Sequence, residues 1–194
     1  YESALKLARS ISRRDVLIES LLTRGRWSAR NPHNPQLAFK DLEEALEYID
    51  KGHALIDAQE QLARLNQVGI KHIDHVMLGV AGSVRGLANA RQTDNFLNQS
   101  HPKMVWIGTT GIFEGAPLFH EVKIGRFIPA TELEMLEEEK ELLRLIQLNN
   151  IPIYGTHPSN TIKVFGNLPQ DREKMLNIID EGIKKIGYRN LSAA

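Results

Sequence analysis

No cysteine occurs among the 194 residues. That absence excludes a disulfide, a zinc–thiolate centre, a cysteine nucleophile and an iron–sulfur cluster held by this chain's own thiolates. Charge of one sign is also missing, since 24 Lys+Arg balance 24 Asp+Glu. A nucleic-acid partner is therefore not expected, because its footprint needs a basic patch or a pI above about 9. No apolar run approaches the roughly 18 residues of a membrane-spanning helix, and no charged-then-apolar leader precedes a small-residue cleavage site. These absences predict a cytoplasmic protein with no membrane partner. Aromatic residues are few at 6%, yet 42% of the chain is apolar, enough for a conventional core at this length. Residue 1 is Tyr rather than Met, which reads as a processed, trimmed or partial chain.

The pattern along the chain changes near residues 31–35. Residues 1–47 read as helix and turn, with the segment 27–36 (WSARNPHNPQ) supplying the proline and asparagine of a turn. From residue 48 the pattern becomes regular. A helix over 54–68 carries Leu55, Ala58, Leu62 and Leu65 on one stripe, and Gly69 stands where a helix C′ glycine belongs. Residues 72–79 (HIDHVMLG) alternate as a strand does, and residues 85–98 form a helix with Leu87, Ala90 and Leu97 inward. The run 104–108 (MVWIG) is nearly continuous in apolar residues, which suits a strand covered on both faces. Thr131 and Glu134 have the spacing of a capping box opening a helix to about residue 148. Its run of glutamates through Glu137, Glu138 and Glu139 reads as a solvated face. Residues 151–154 are a short strand, 162–165 a looser one, and a last helix from Pro169 buries Met175, Ile178, Ile179, Ile183 and Ile186. The alternation predicts an α/β fold built of βαβ units with parallel strands. Only three or four strands are visible, whereas a closed eight-stranded barrel takes about 250 residues. The expected architecture is part of a TIM-like (β/α) barrel over 48–188, with a helical N-terminal segment over 1–47 and a tail over 189–194.

Three turns at predicted strand carboxyl ends carry the candidate chemistry. The first, residues 79–83 (GVAGS), lets a ligand or a helix N-terminus approach its backbone, but it contains neither GxGxxG nor a P-loop lysine; a tight βα turn is the competing reading. The second, residues 109–117 (TTGIFEGAP), offers Glu114 as an acid or base, against the alternative of a solvated loop carboxylate. The third, residues 154–160 (YGTHPSN), gathers His157, Ser159 and Asn160, which suit a polar ligand or an ordinary polar turn; it is not a triad, and no GxSxG exists. His72 and His75, three apart on a strand, point to opposite faces and cannot share an ion, whereas His72 and Asp74 share a face. No metal site is expected.

An ordered series of short motifs adds a resemblance. Residues 50–53 (DKGH), 66–70 (NQVGI), 76–82 (VMLGVAG), 116–119 (APLF), 125–127 (GRF), 156–160 (THPSN) and 166–171 (GNLPQD) resemble, in this order, the carboxyl-terminal half of radical S-adenosylmethionine (SAM) proteins. The likeness covers about residues 48–186 and extends to a bacterial subgroup of iron–sulfur oxidoreductases of unknown substrate. It implies a partial (β/α) barrel in which a [4Fe–4S] cluster on a CxxxCxxC loop binds S-adenosylmethionine, whose reductive cleavage yields a radical that abstracts hydrogen from a small-molecule substrate. It further implies that Gly79, Val80, Gly82, Thr109 and Thr110 face the cofactor, and that Glu114, His157 and Asn160 line the substrate mouth. No catalytic residue is assigned. The sequence departs from the family in having no cluster loop, and in placing Gly82 where many members carry a glutamate shortly after the glycine. The cluster cannot be ligated by this chain alone, so the missing amino-terminal half, or a partner covering the sheet edge, is expected to complete the barrel. The other reading is a non-catalytic binding or partner module on the same half-barrel scaffold. A conventional α/β enzyme using Glu114 and His157 would lack any recognised constellation.

Overall fold

The structure is a computed structural model that describes residues 55–191. The chain divides into two compact units, Tyr1–Gln61 and Leu62–Ala194. In the first unit the described residues are 55–61, the opening half of helix α1 (Leu55–Gln67). The helices and turn expected over residues 1–47 lie outside the described residues.

The second unit alternates strands and helices: β1 (Ile73–Leu78), α2 (Gly86–Ser100), β2 (Met104–Thr109), α3 (Pro117–Lys123), α4 (Glu132–Leu145), β3 (Ile151–Gly155), β4 (Val164–Leu168), α5 (Arg172–Ile186) and the single turn α6 (Tyr188–Leu191). The strands form one sheet in the order β1-β2-β3-β4. The first three run parallel and β4 is antiparallel to β3. The fold is α/β, with a mostly parallel sheet and helices as in part of a (β/α) barrel. The looser strand expected over 162–165 is β4, and it runs antiparallel. Residues 156–163, which join β3 to β4, are fewer than the roughly dozen that a parallel crossover requires.

Several elements end as local chemistry dictates. Gly69 takes φ +76° just past α1, and the Ile70 N–H returns to the Leu65 carbonyl at 2.9 Å, closing the helix. Thr131 and Glu134 form the capping box at the start of α4. Helix α5 begins at Arg172 rather than at Pro169, because β4 runs to Leu168 and residues 169–171 form a turn in which the Asp171 N–H bonds the Asn167 carbonyl at 2.8 Å. Helix α3 was not signalled by any apolar period, being only seven residues long and without a buried residue.

The core lies on one side of the sheet. Leu78, Val105, Ile107, Ile153, Val164 and Leu168 project from the strands against Ala90 and Leu97 of α2, Leu136, Leu142 and Leu143 of α4, and Met175, Ile179 and Ile183 of α5. Each fully buried aliphatic side chain contributes about 1.5–3 kcal/mol by leaving water. Two sequence expectations change here. Leu87 is exposed rather than inward. Among the described residues, helices cover β2 on one face only, and Trp106 is 39% exposed on the other, so its apolar run does not mark a two-sided strand.

The acidic run of α4 is not a solvated face. Glu138 and Glu139 are each 1% exposed and Lys140 is also buried. Lys140 reaches Asp180 of α5 at 2.6 Å and Glu137 at 3.1 Å, which ties α4 to α5. Among the described residues, no helix is long and apolar enough to cross a membrane.

Candidate functional site

The carboxyl ends of β1, β2 and β3 lie side by side, and three loops meet there. The first loop leaves β1 through Gly79 and Gly82, both at φ +76°, and enters α2. A side chain at Gly79 would strike Met135 Sδ at 2.7 Å, and one at Gly82 would strike the Ile128 carbonyl at 2.7 Å, so both positions demand glycine on two grounds. Two glutamates of α4, one turn apart, reach across to this loop. Glu138 Oε2 accepts the Gly79 N–H at 2.9 Å, and its Oε1 accepts the Asn89 amide at 2.7 Å. Glu134 Oε1 accepts the Val84 N–H at 2.7 Å and the Ser83 hydroxyl at 2.9 Å. Burial pushes the Glu138 carboxyl above the ordinary carboxylate range, opposed by its two N–H donors. Burial also works against the charge of Glu134, but the N–H groups of Thr131 and Val84 and the hydroxyls of Ser83 and Thr131 outweigh it and hold that carboxyl low.

The second and third loops are tied across β2. The Thr110 N–H and hydroxyl both bond the Leu78 carbonyl, at 2.9 and 2.7 Å. The Thr109 N–H donates to Ser159 Oγ at 3.2 Å, and its hydroxyl donates to the Ser159 carbonyl at 2.9 Å. His157 Nδ1 lies 2.6 Å from Ser159 Oγ and accepts the Ser159 N–H at 3.2 Å. An N–H is an obligate donor, so Nδ1 acts as acceptor and the ring proton of neutral His157 resides on Nε2. The imidazole covers Gly108, where an added Cβ would meet it at 3.4 Å. Asn160, buried, donates its amide to the Ile107 carbonyl at 3.0 Å and the Gly155 carbonyl at 3.1 Å, bridging β2 and β3. Its Oδ1 is buried without a hydrogen-bond partner. A buried orphan acceptor marks either strain or a donor still to arrive.

The sheet face opposite the core completes the site. Register places His75 beside Trp106, Trp106 beside Tyr154, and Tyr154 beside Phe165, so four ring residues form one row across all four strands. His75 meets Trp106 edge-on with centroids 4.8 Å apart, and Tyr154 meets Phe165 likewise at 4.7 Å. His157 joins the row from the strand ends, 6.4 Å from Trp106. Ile73 and Met77 add apolar surface to the same exposed face. Sequence reasoning missed this row. The available signal was parity, because residues 106, 154 and 165 each stand between buried neighbours and residue 75 between half-buried ones.

Of the residues singled out from sequence, the structure gathers Thr109, His157 and Asn160 around Ser159 and the ends of β2 and β3. Thr110 sits at the end of β1, next to Gly79. Val80 is exposed on the first loop, and Glu114 is exposed on the second. Away from this edge, His72 Nε2 lies 3.5 Å from Asp74 Oδ1, and Asp74 Oδ2 accepts the Ser100 hydroxyl at 2.6 Å. His72 and Asp74 thus do share a side of the strand, whereas His75 stands on the open face. Among the described residues, no group of three or more His, Asp or Glu is placed to hold a metal ion.

No known family profile matches the chain, and no curated protein does. Among solved structures, the chain is similar to archaeal Methanocaldococcus infernus Elp3 carrying an N-terminal deletion (1–46), with a TM-score of 0.51 and 21% identity. The match covers 77% of this chain and 34% of that one, so the chain spans about a third of the length of the Elp3 chain. Elp3 is a radical SAM protein. At this identity the likeness is one of fold: an α/β architecture with a mostly parallel sheet, as in part of a (β/α) barrel.

Proposed function

We propose that this chain forms the carboxyl-terminal wall of a radical SAM barrel, lining the cofactor and substrate sides of a cavity that a cluster-bearing segment completes. The observation that carries the reading is the sheet itself. Helices α2, α4 and α5 pack on one face, no described element covers the other, and polar groups and glycines collect at the strand carboxyl ends, where (β/α) barrels bind their ligands. The fold likeness to Elp3 and the ordered motifs over residues 48–186 point the same way.

The two groups implied by this reading differ in fit. A [4Fe–4S] cluster does not fit the chain, which has no cysteine to hold it. Its ligands would lie on the segment that completes the barrel. S-adenosylmethionine does fit. Val80 offers exposed apolar surface beside the first turn, and on the substrate side of the same strand ends the buried Asn160 Oδ1 has no hydrogen-bond partner. Gly79, Val80, Gly82, Thr109 and Thr110 would border it, and it would supply the hydrogen-abstracting chemistry when bound. The chain's own part is positional: His157 presents an Nε2–H to a substrate acceptor, with Glu114 at the rim, and the aromatic row excludes water. The absence of cysteine favours a second reading, a binding or partner module that keeps the half-barrel and has no radical chemistry.

Reading the coding sequence upstream of Tyr1 tests the proposal. An in-frame CxxxCxxC within the length of three βα units (on the order of 100 residues, at 30 or more per unit) is the expected result. A start codon immediately before Tyr1, with no cysteine codon upstream, overturns it and leaves the binding module.

A further inference from the structure

We infer that the turn between β1 and α2 is an anion cradle already filled by the chain's own carboxylates, so that a ligand group admitted there is uncharged or cationic. A glycine turn leading from a strand into a helix is the ordinary seat of a phosphate, which takes the free N–H groups of the turn and the helix start. Here four backbone donors of the turn are each bonded within the chain. The Gly79 N–H goes to Glu138 Oε2 at 2.9 Å, and the Val84 N–H to Glu134 Oε1 at 2.7 Å. The Gly82 N–H goes to the Gly79 carbonyl and the Ser83 N–H to the Ile128 carbonyl, both at 2.9 Å. The Ser83 hydroxyl and the Asn89 amide, side chains that could also hold an anion, donate to the same two glutamates.

Position reinforces the occupancy. Glu138 lies against Gly86, the first residue of α2, where an added Cβ would meet its Oε2 at 3.1 Å; its charge therefore stands where the helix dipole favours an anion. Val84 holds φ +59°, a conformation that β-branched residues avoid, with its N–H directed at Glu134. A phosphate entering this turn would have to displace a carboxylate and then face it as a like charge. Arg85 lies against Gly82, with Nη2 at 3.0 Å from an added Cβ. The outward surface of the turn is apolar: Val80 is 51% exposed and Val84 75%. The specificity claim rests on the proposal that this turn borders the ligand site; the filled cradle does not.

Amide-resolved NMR of the full chain tests both parts, with inorganic pyrophosphate and S-adenosylmethionine as separate titrants. In the wild type, pyrophosphate at millimolar concentration leaves the Gly79, Gly82, Ser83 and Val84 resonances unmoved. Glu134→Ala frees the Val84 N–H and the Ser83 hydroxyl, and makes the Ser83 and Val84 resonances shift saturably with pyrophosphate. Glu134→Gln keeps an acceptor and leaves them unmoved. Saturable shifts at these residues in the wild type overturn the inference, as do silent resonances in a folded Glu134→Ala. If Glu134→Ala does not fold, the wild-type titration decides alone. S-adenosylmethionine leaving the turn unmoved, with pyrophosphate equally silent, removes the ligand-site reading and leaves the filled cradle standing.

Discussion

Glu139 offers the sharpest test of the packing between α4 and the sheet. Its side chain is 1% exposed, and Oε1 is buried without a hydrogen-bond partner. Burial alone pushes its carboxyl up to about 8 from an ordinary 4.5. The folded state thus holds a proton that the unfolded chain releases. A raised acid contributes stability that is fully present below pH 4.5, declines as pH rises toward about 8, and falls no further beyond it. At 1.36 kcal/mol per pKa unit, the loss across that window is about 5 kcal/mol, a large share of a typical domain's 5–15 kcal/mol. Glu139→Gln keeps the shape and removes the titration. Urea denaturation followed by circular dichroism at pH 5 and pH 9 measures the difference, and comparison with the variant cancels every other titrating group. The variant should match the wild type within about 1 kcal/mol at pH 5, and exceed it by about 3–5 kcal/mol at pH 9. An equal gap between the two proteins at both pH values would refute the reasoning, because Glu139 would then titrate alike in the folded and unfolded chain.

Two further substitutions probe the backbone of the site. Gly155→Ala would place a Cβ 2.7 Å from both Glu139 Oε1 and Val164 Cγ2 and 3.3 Å from the Val164 carbonyl, and should cost about 1–3 kcal/mol by urea denaturation; a neutral result would show that the β3–β4 ladder or the Glu139 side chain yields. Val84→Asn puts a residue tolerant of the left-handed region at φ +59° on an exposed position, and should raise stability by about 0.5–1 kcal/mol with the Glu134 bond kept. A loss there would mean that the valine side chain packs in the free protein.

Much of the frame was legible because it rests on local rules. The capping box of Thr131 and Glu134, the helix stop at Gly69 and the strand alternation around Val76 each follow from a handful of neighbouring residues. The errors arose where tertiary partners decide. Residues 104–108 carry apolar side chains on both parities, so sequence could not show that Trp106 faces outward while Val105 and Ile107 face the helices. Glu139 was readable in principle, since it shares a stripe with Met135, Leu142 and Ile146 at helical spacing. Read as part of a glutamate run, it looked solvated. The reach of Glu134 and Glu138 to the first loop was unreadable, because their partners Val84 and Gly79 lie 50 and 59 residues away. The clustering of Thr109, His157 and Asn160 followed from placing all three at strand carboxyl ends, whereas the bridging role of Asn160 needed the positions of two carbonyls.

The two faces of the sheet make opposite demands, and the contrast bears on function. The covered face satisfies the core with aliphatic side chains and accepts two buried glutamates, one bonded and one bare. The open face keeps Ile73, Met77, Trp106 and Phe165 in water, exposed by 39–54%. Monomeric proteins seldom leave apolar patches beyond a few hundred Å² without a use. Strand alternation would have allowed polar residues at every one of these positions, since none of them serves the core. Selection for stability alone therefore does not explain the row. The proposed cavity wall would: within a completed barrel these side chains would face inward, the aromatic row would exclude water, and His157 would stand where that wall meets the loops. The same reasoning explains why polar groups concentrate at one edge. Asn160, Thr109, Thr110 and the two glutamates fix the loops at the strand carboxyl ends, so the geometry of the mouth is set by this chain's own hydrogen bonds before any ligand arrives.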